Sequence, residues 1–559
     1  MVIPAQAGTT SSGMKTYANP VYAWQRSPDQ DAPAPRRPVI VVGAGPVGLA
    51  TAIDLAQSGV PVVVLDEDDT VSVGSRAICY AKRALEILDR LGCGERIAQM
   101  GVEWKVGKVF FRDEQVYAFD LLPEPGHHRP AFVNLQQYHL EECLVDRLAE
   151  LPSADLRWRH KVVGVMRRDG HVLLRVATPD GDYELTCDWL VACDGARSPV
   201  RNLLGLESEG QVFRDRFLIA DIHMQSDFPA ERWFWFDPPF HPGQSALLHR
   251  QADDVWRIDF QLGWDADPEL EKKPERILPR LRAMLGPKAE FEIEWASVYT
   301  FQCRRMNQFR HGRVLFAGDA AHVVSPFGAR GANSGFQDAD NLAWKLKLVL
   351  DGRAPERLLD TYDAERVPAA DENILYSTRA TDFITPKSAV SRRFRDAVLA
   401  LAKNHAFARR LVNSGRLSTP HLYRASPLST PDRAGESFAG AMVPGAPAAD
   451  APVAGCASPW LLDCLHDSFT LLAFGETVPA VSAAALARDP IPCRIVQVGG
   501  APADDRIVLR DEEGLLSDRY DGRPGTCDLL RPDQHVCARW RSFEAREVRA
   551  AIRGATCND

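Results

Sequence analysis

Residues 37–68, RPVIVVGAGPVGLATAIDLAQSGVPVVVLDED, place the tightest limit on what this chain can fold into. Residues 39–42 are a β-branched run of the kind that forms a strand buried on both faces. Gly43, Gly45 and Gly48 follow as G-x-G-x-x-G around Pro46 and Val47, and Leu49, Ile53 and Ala56 then keep helical spacing. Gly59 ends the helix, and residues 62–65 form a second buried strand that runs into Asp66 and Glu67. The glycines let main chain approach a pyrophosphate at a helix N-terminus, where unpaired N–H groups and the helix dipole favour an anion. Asp66, 23 residues beyond Gly43, stands where a carboxylate accepts from a ribose hydroxyl. The pattern predicts a Rossmann-type α/β domain holding one dinucleotide, and by itself does not choose between FAD and NAD. No second G-x-G-x-x-G follows, which disfavours paired nucleotide domains.

The chain is 559 residues long, enough for about three or four domains. A formal net charge of -9 leaves no basic footprint for a phosphate backbone, so nucleic acid is not the expected partner. Twelve cysteines without C-x-x-C or a short Cys/His cluster point away from zinc and from a thiol redox pair, and fit a cytoplasmic setting. No apolar run is long enough for a membrane span or a signal peptide, so no membrane is expected either. Residues 1–36, rich in Pro, Ser, Gln and Asp, read as a flexible leader.

Two further strings decide the nucleotide. Residues 188–201, DWLVACDGARSPVR, carry an apolar run into Cys193-Asp194-Gly195, then Ser198 and Arg201. The string resembles the C-D-G-x-x-S-x-x-R fingerprint of single-component FAD-dependent aromatic hydroxylases, the p-hydroxybenzoate and phenol hydroxylase group. Residues 312–326, GRVLFAGDAAHVVSP, resemble that family's second FAD fingerprint. The three ordered motifs frame residues 37 to about 346.

The resemblance implies roles for residues of this chain. The glycine loop (Gly43, Gly45, Pro46, Val47, Gly48) would hold the ADP part of FAD, with Asp66 and Glu67 at the adenosine ribose. Arg76 in GSRAICY matches a pyrophosphate arginine. Gln137 in NLQQYHLEE matches a ribityl or phosphate contact, with Gln136 leaving the register open by one. Gly318 and Asp319 would anchor a ribityl hydroxyl, and Asp194 and Arg201 would hold their own fingerprint together near the path of a docking nicotinamide. Asp194 could instead cap a turn. His322 has no second ligand at metal spacing, so it reads as scaffold and no metal is expected. Beyond Pro326, the glycine-rich loop and Gly331, Ala332 and Asn333 would bring backbone to the flavin ring. A helix with Phe336, Ala339, Ala343 and Leu346 on one stripe would point its N-terminus, and Arg330, at reduced flavin.

From about 206 to 300 short strand-like runs replace the βαβ pattern, which reads as an antiparallel substrate domain inserted in the FAD domain. In residues 255–262, Trp256, Ile258, Phe260 and Leu262 alternate with Val255, Arg257, Asp259 and Gln261, giving one apolar and one mostly polar face. Arg257 is a candidate for an anionic substrate group, and Trp235 and His249 for an aromatic pocket. RWFWFDPPF also resembles the W-x-W-x-I-P string of flavin-dependent halogenases through Trp233, Trp235 and Pro238, with Asp237 in place of Ile, although bulky strand residues explain it as well.

Residues 358–370, LLDTYDAERVPAA, resemble the family's continuation into helices, and a Pro/Ser-rich linker spans about 417–437. Beyond it, FTLLAFG reads as a strand and CDLLRPDQHVCARW as a hairpin. This end resembles the thioredoxin-like C-terminal domain of the phenol hydroxylase branch. Cys456, Cys464 and Cys493 form no C-x-x-C, so no thiol chemistry is assigned.

The expected division is a leader (1–36), FAD-binding segments (37–205 and 301–370), a substrate domain (206–300), a helical segment with linker (371–437) and the C-terminal domain (438–559). The implied reaction is hydroxylation of a phenolic or related aromatic substrate with FAD, NADH or NADPH as transient hydride donor, and O2, through a flavin C4a-hydroperoxide, in a homodimer. The alternatives are a halogenase, a flavin reductase, or a protein that keeps FAD for redox sensing or assembly.

Overall fold

Buried β-branched runs alternating with helices build a parallel sheet. In a computed structural model, which describes residues 17–31, 35–74, 76–412, 417–465 and 468–558, that sheet runs in the order Arg310–His311, Val314–Phe316, Gly181–Ala192, Arg37–Val42, Val62–Leu65, Ala154–Arg157. Its last five strands pair parallel. The register sets Val42 beside both Leu65 and Ala192, and Ala192 beside Phe316. Strand ends aligned in this way deliver the loops that begin at Gly43, Asp66, Cys193 and Ala317 to one edge, where open α/β sheets bind their ligands. The helices Pro46–Gln57, Gln137–Ala149 and Gly331–Leu350 pack against one another over the sheet.

The second sheet is larger than the 206–300 segment. Its order is His322–Val323, Glu292–Arg305, Glu209–His223, Val255–Leu262, Ser245–Arg250, Arg232–Phe236, Val106–Phe111, Glu114–Asp120, so a hairpin from the first FAD segment completes it. The alternation along Val255–Leu262 places its residues as the pattern requires. Trp256, Ile258, Phe260 and Leu262 join a core with Leu218, Leu248 and the helix Pro274–Leu285, while Arg257 and Asp259 face the other way. The long helix Asp360–Ile384 and the helices Ala389–Ala402 and Ala406–Val412 pack against the first-hairpin end of this sheet.

An extra C-terminal α/β domain follows, with strand order Ile507–Leu509, Cys493–Val498, Phe469–Phe474, Cys527–Leu530, Val536–Trp540. The first three pair parallel and the last two antiparallel. It is fastened to the FAD domain by ions taken out of water: Arg531 binds Glu365 through both guanidinium Nη atoms, Lys345 Nζ lies 2.7 Å from the same carboxylate, and all three are fully buried. Cys456 and Cys464 are paired as a disulfide, which the sequence reading did not anticipate.

The expectation of a flexible leader is corrected for residues 17–31. Tyr17 stacks on Tyr138 and Tyr22 on Trp158, with centroids 4.2 and 4.6 Å apart, and buried Asp29 binds Arg37 and Arg157. Two aromatic rings and a buried carboxylate outweigh the local polarity that suggested disorder. Among the described residues, no helix is long and apolar enough to cross a membrane.

Candidate active site

The glycines of the first loop have separable physical reasons. Gly43 has φ +103°, and a Cβ there would lie 2.6 Å from the Cys193 carbonyl oxygen. At Gly48 a Cβ would collide with the Gly43 carbonyl. Both therefore serve close approach of backbone. Gly45 differs, because nothing lies within 4 Å of its Cβ position and it caps the helix Pro46–Gln57 without a side-chain hydrogen bond. Open space at an uncapped helix N-terminus fits a phosphate. Asp66 sits beside it and accepts from the main-chain N–H groups of Ala44 and Asp68; burial pushes its carboxyl pKa up. Glu67 is half exposed and paired with Lys161.

Gln137 and Gln136 resolve in opposite directions. Gln137 Oε1 accepts from Ala77 N at 3.0 Å and its Nε2 donates to Ser72 Oγ and Glu141, so it ties down the loop that carries Arg76. Gln136 donates to the Ala252 carbonyl, in the turn between two strands of the second sheet. Arg76 is exposed, and its carbonyl oxygen accepts from Arg257.

The second and third fingerprints brace each other. Asp194 accepts from Ser198 Oγ at 2.6 Å and Val200 N at 2.8 Å, and Arg201 donates to the carbonyls of Ala196 and Ala320. Ser198, held by Asp194, thus caps the short helix Pro199–Leu203, Asp194 accepts from its second residue, and Arg201 holds the turn that carries Asp319. Asp194 and Arg201 are positioning residues here. Asp319 is exposed; desolvation by the neighbouring protein pushes its carboxyl pKa up, and His322 and Arg76 pull it back.

His322 is scaffold. Its Nε2 lies 2.6 Å from Asp338, whose same oxygen accepts from Gly318 N at 2.9 Å while the other accepts from Arg366 Nε at 2.7 Å. Asp338, absent from the sequence-based candidates, is the hub of the flavin loop. Asn333 is likewise spent on structure: its amide donates to Cys79 and Ala329 carbonyls and its oxygen accepts from Ala81 N. Gly331 and Ala332 open the helix Gly331–Leu350, which has no side-chain N-cap, and Phe336, Ala339, Ala343 and Leu346 are buried on its core stripe. Arg330 is buried just before it, donates to Asn373 and lies 5.0 Å over the Tyr376 ring.

A cavity opens beside this loop, walled by Phe234, Phe236, Phe327, Gly328, Arg330 and Tyr376 among others. Pro326 is exposed at the start of the loop. Of the substrate-site candidates, His249 and Arg257 share the sheet face turned toward the flavin loop, whereas Trp235 pairs with Ala246 on the opposite face and packs with Phe110 and Phe240. Trp235 is therefore removed from the pocket: the strand's alternation sends it to the far core together with Trp233. Arg257 is in place, yet its guanidinium is already engaged by both oxygens of Asp221 at 2.7 Å. His249 is buried, its Nδ1 has no hydrogen-bond partner, and burial with Arg232 and Arg257 nearby holds its pKa well below the usual value. Arg232 at the cavity wall was missed, because nothing in ERWFWF marks which side chain turns inward.

Elsewhere, Asp89, His128 and Asp463 bring three ligand-type atoms within 4.8 Å of one another at the C-terminal domain boundary, but Arg129 already occupies the Asp89 carboxylate.

The residues present fit a dinucleotide: an uncapped helix start at Gly45, a carboxylate at Asp66, a second, exposed one at Asp319, and a second bare helix start at Gly331. The comparisons agree. Residues 36–376 match the FAD binding domain family. The chain is 32% identical over 339 residues to para-nitrophenol 4-monooxygenase of Pseudomonas sp. (strain WBC-3), covering 59% of this chain and 82% of that protein. It is 28% identical over 534 residues to 3-(3-hydroxy-phenyl)propionate/3-hydroxycinnamic acid hydroxylase of Mycobacterium sp. (strain JLS), covering 92% and 91%. It is 35% identical to 6-methylpretetramide 4-monooxygenase of Streptomyces rimosus, spanning 64% of that protein's length. In fold it matches the flavin-dependent monooxygenase PieE, solved with FAD and substrate, with a TM-score of 0.81 and 23% identity over 94% of this chain and all of the other. The family match over residues 36–376 takes in the loops at Gly43, Asp66, Asp319 and Gly331, and the chain belongs to the FAD-binding flavoprotein aromatic monooxygenase family.

Proposed function

We propose that the protein hydroxylates a phenolic or related aromatic ring, using FAD, O2 and NADH or NADPH. The observation that carries this reading is the meeting of the mostly apolar cavity, with Phe119, Phe234, Phe236 and Tyr376 in its wall, with the flavin loop at Phe327, Gly328 and Arg330. FAD, when bound, supplies the redox chemistry with O2 and the nicotinamide. The protein's own share is threefold. Gly43, Gly45, Asp66, Arg76 and Asp319 bind the cofactor. Phe234, Phe236, Phe327 and Ile384 line the cavity and keep water from the reacting ring. Arg330 and the free N–H groups of Gly331 and Ala332 favour negative charge at the cofactor's edge.

Relatives named for para-nitrophenol, resorcinol and 3-(3-hydroxy-phenyl)propionate support a single-ring phenol, and the relative named for 6-methylpretetramide supports a different aromatic substrate. The C-terminal domain is read as thioredoxin-like from its mixed strand order, in the manner of the phenol hydroxylase branch, and as structural in a cytoplasmic homodimer. Trp233 and Trp235 pack into the far core of the substrate sheet, which leaves the halogenase-like string with a structural role.

The test is NAD(P)H consumption by the FAD-loaded protein with a phenol panel, with hydroxylated product and hydrogen peroxide quantified separately. At least one phenol should both speed NAD(P)H oxidation and appear as hydroxylated product. Purified protein without flavin, or a panel that yields no hydroxylated product, would end the reading.

A further inference from the structure

The loop between the strand ends at Leu65 and Cys79 carries Asp66 at its start and Arg76 near its close, and its described residues form neither helix nor strand. Such a segment keeps one shape only where groups from elsewhere satisfy its main chain. Two elements do so. From the helix Gln137–Ala149, buried Glu141 accepts from Ser72 N at 2.6 Å and Ser72 Oγ at 2.7 Å, and Gln137 accepts from Ala77 N at 3.0 Å. From the leader segment, Asn19 Nδ2 donates to the carbonyls of Val71 at 3.1 Å and Ser72 at 3.0 Å, and Tyr22 N donates to the Asp69 carbonyl at 2.7 Å. Among the described residues, those three carbonyls accept from nothing else.

The leader is held on either side of Asn19 by residues outside the loop. Tyr17 stacks on Tyr138, and its hydroxyl donates to Glu142 at 2.9 Å. Tyr22 lies parallel to Trp158, and farther along Asp29 pairs with Arg37 and Arg157. The helix that grips the loop through Gln137 and Glu141 therefore grips the leader through the neighbouring Tyr138 and Glu142. Leader, helix and loop close into one circuit, and Asn19 is the side chain that joins leader to loop. Rings alone would suffice to cover apolar surface; an amide donating to two successive carbonyls fixes the path of the loop.

We propose that Asn19 is a positioning residue for the cofactor, holding the stretch from Asp69 to Ser72 so that Asp66 and Arg76 are in place before the ADP half of FAD arrives. This rests on the reading that Asp66 and Arg76 bind FAD, and adds to it a residue from outside the three fingerprints. A loop fixed in advance loses less freedom on binding, so the gain is in affinity for the cofactor and not in the chemical step.

The test is the binding of FAD, and separately of ADP, to the full chain stripped of its flavin, measured by calorimetry for the wild type, Asn19→Ala and Asn19→Asp. Asn19→Asp keeps the shape and has no N–H to donate, and either variant alone is sufficient. Losing two neutral hydrogen bonds should weaken FAD and ADP alike by about 10-fold. With FAD saturating, flavin reduction by NAD(P)H should stay within about twofold of the wild-type rate, since an interaction that acts on binding leaves the chemical step alone. Gln30→Ala removes the leader's bond to Thr178, away from the loop, and should leave both affinities unchanged. FAD binding within about twofold of wild type in the Asn19 variants, an equal loss in Gln30→Ala, or a loss for FAD with none for ADP would each overturn the proposal. A wild-type chain that binds FAD, with Asn19 variants that bind it as well, sinks this proposal alone. A wild-type chain that binds neither FAD nor ADP sinks the cofactor reading and this proposal with it.

Discussion

Replacing Asp338 by asparagine should loosen the flavin loop without touching the cofactor. Three donors converge on this fully buried carboxylate: Gly318 N at 2.9 Å, His322 Nε2 at 2.6 Å and Arg366 Nε at 2.7 Å. Burial alone would push its pKa up, but His322 and Arg366 outweigh that and hold it below the usual value. An asparagine oxygen can still accept from Gly318, whereas its NH2 then faces Arg366 or His322 as donor against donor. Losing the charge and one or two charge-assisted hydrogen bonds costs about 3 kcal/mol. If that cost falls on the turn presenting Asp319, FAD affinity drops by up to ~100-fold. The assay is fluorescence titration of the apoprotein with FAD, beside a thermal melt. Asp338→Asn should weaken FAD binding at least ~10-fold and lower the melting midpoint. Because the folded-state pKa is depressed, the contribution of Asp338 is present above the unfolded value of 3.8 and is lost as pH falls below it. A variant that holds FAD within about twofold of the wild type and melts at the same temperature would refute the hub assignment.

Three further outcomes are expected. Arg330→Glu should keep FAD but slow flavin reduction by NAD(P)H about tenfold in stopped-flow traces, since a carboxylate there opposes the charge that accumulates on reduction; an unchanged rate removes Arg330 from the mechanism. Arg531→Met strands Asp533 in the domain boundary and leaves Glu365 to Lys345 alone, so urea unfolding should show a loss of about 3–5 kcal/mol, and Arg531→Met with Asp533→Asn should lose less than Arg531→Met alone. Asp528 is fully buried, both its oxygens are unpartnered among the described residues, and burial pushes its pKa up to about 8. Stability should fall as pH rises from about 4 to 8, because the unfolded chain ionises first, and Asp528→Asn should flatten that fall; an identical pH profile in the variant would contradict it.

The cofactor half of the site was legible because its signals are local. A β-branched run, spaced glycines and a terminal carboxylate sit within 32 residues, and each strand end lands at the same sheet edge once the strands pair in parallel. His322 was read as scaffold, and Asp338 holds it. The rest was harder to see for a physical reason. Alternation along a strand tells which residues share a face, not which face a neighbouring strand will turn inward, so Trp235 was placed in the pocket and Arg232 was passed over. The polar segment at residues 17–31 is ordered by rings, a hydrogen bond and an ion pair supplied by residues more than 40 positions away, as in Tyr17 with Tyr138, Asn19 with Val71 and Asp29 with Arg157.

The sequence by itself determined the dinucleotide-binding unit, the order of the flavin fingerprints, and the polar and apolar faces of the substrate strands, since these follow from backbone freedom and from periods of two and 3.6 residues. Tertiary structure alone decided which charges are spent and which are free. Arg257 and Arg232 look equally available in sequence, and they differ because Asp221, 36 residues from Arg257 along the chain, comes to lie directly across from it in the adjacent strand, while no carboxylate among the described residues reaches ion-pair distance of Arg232.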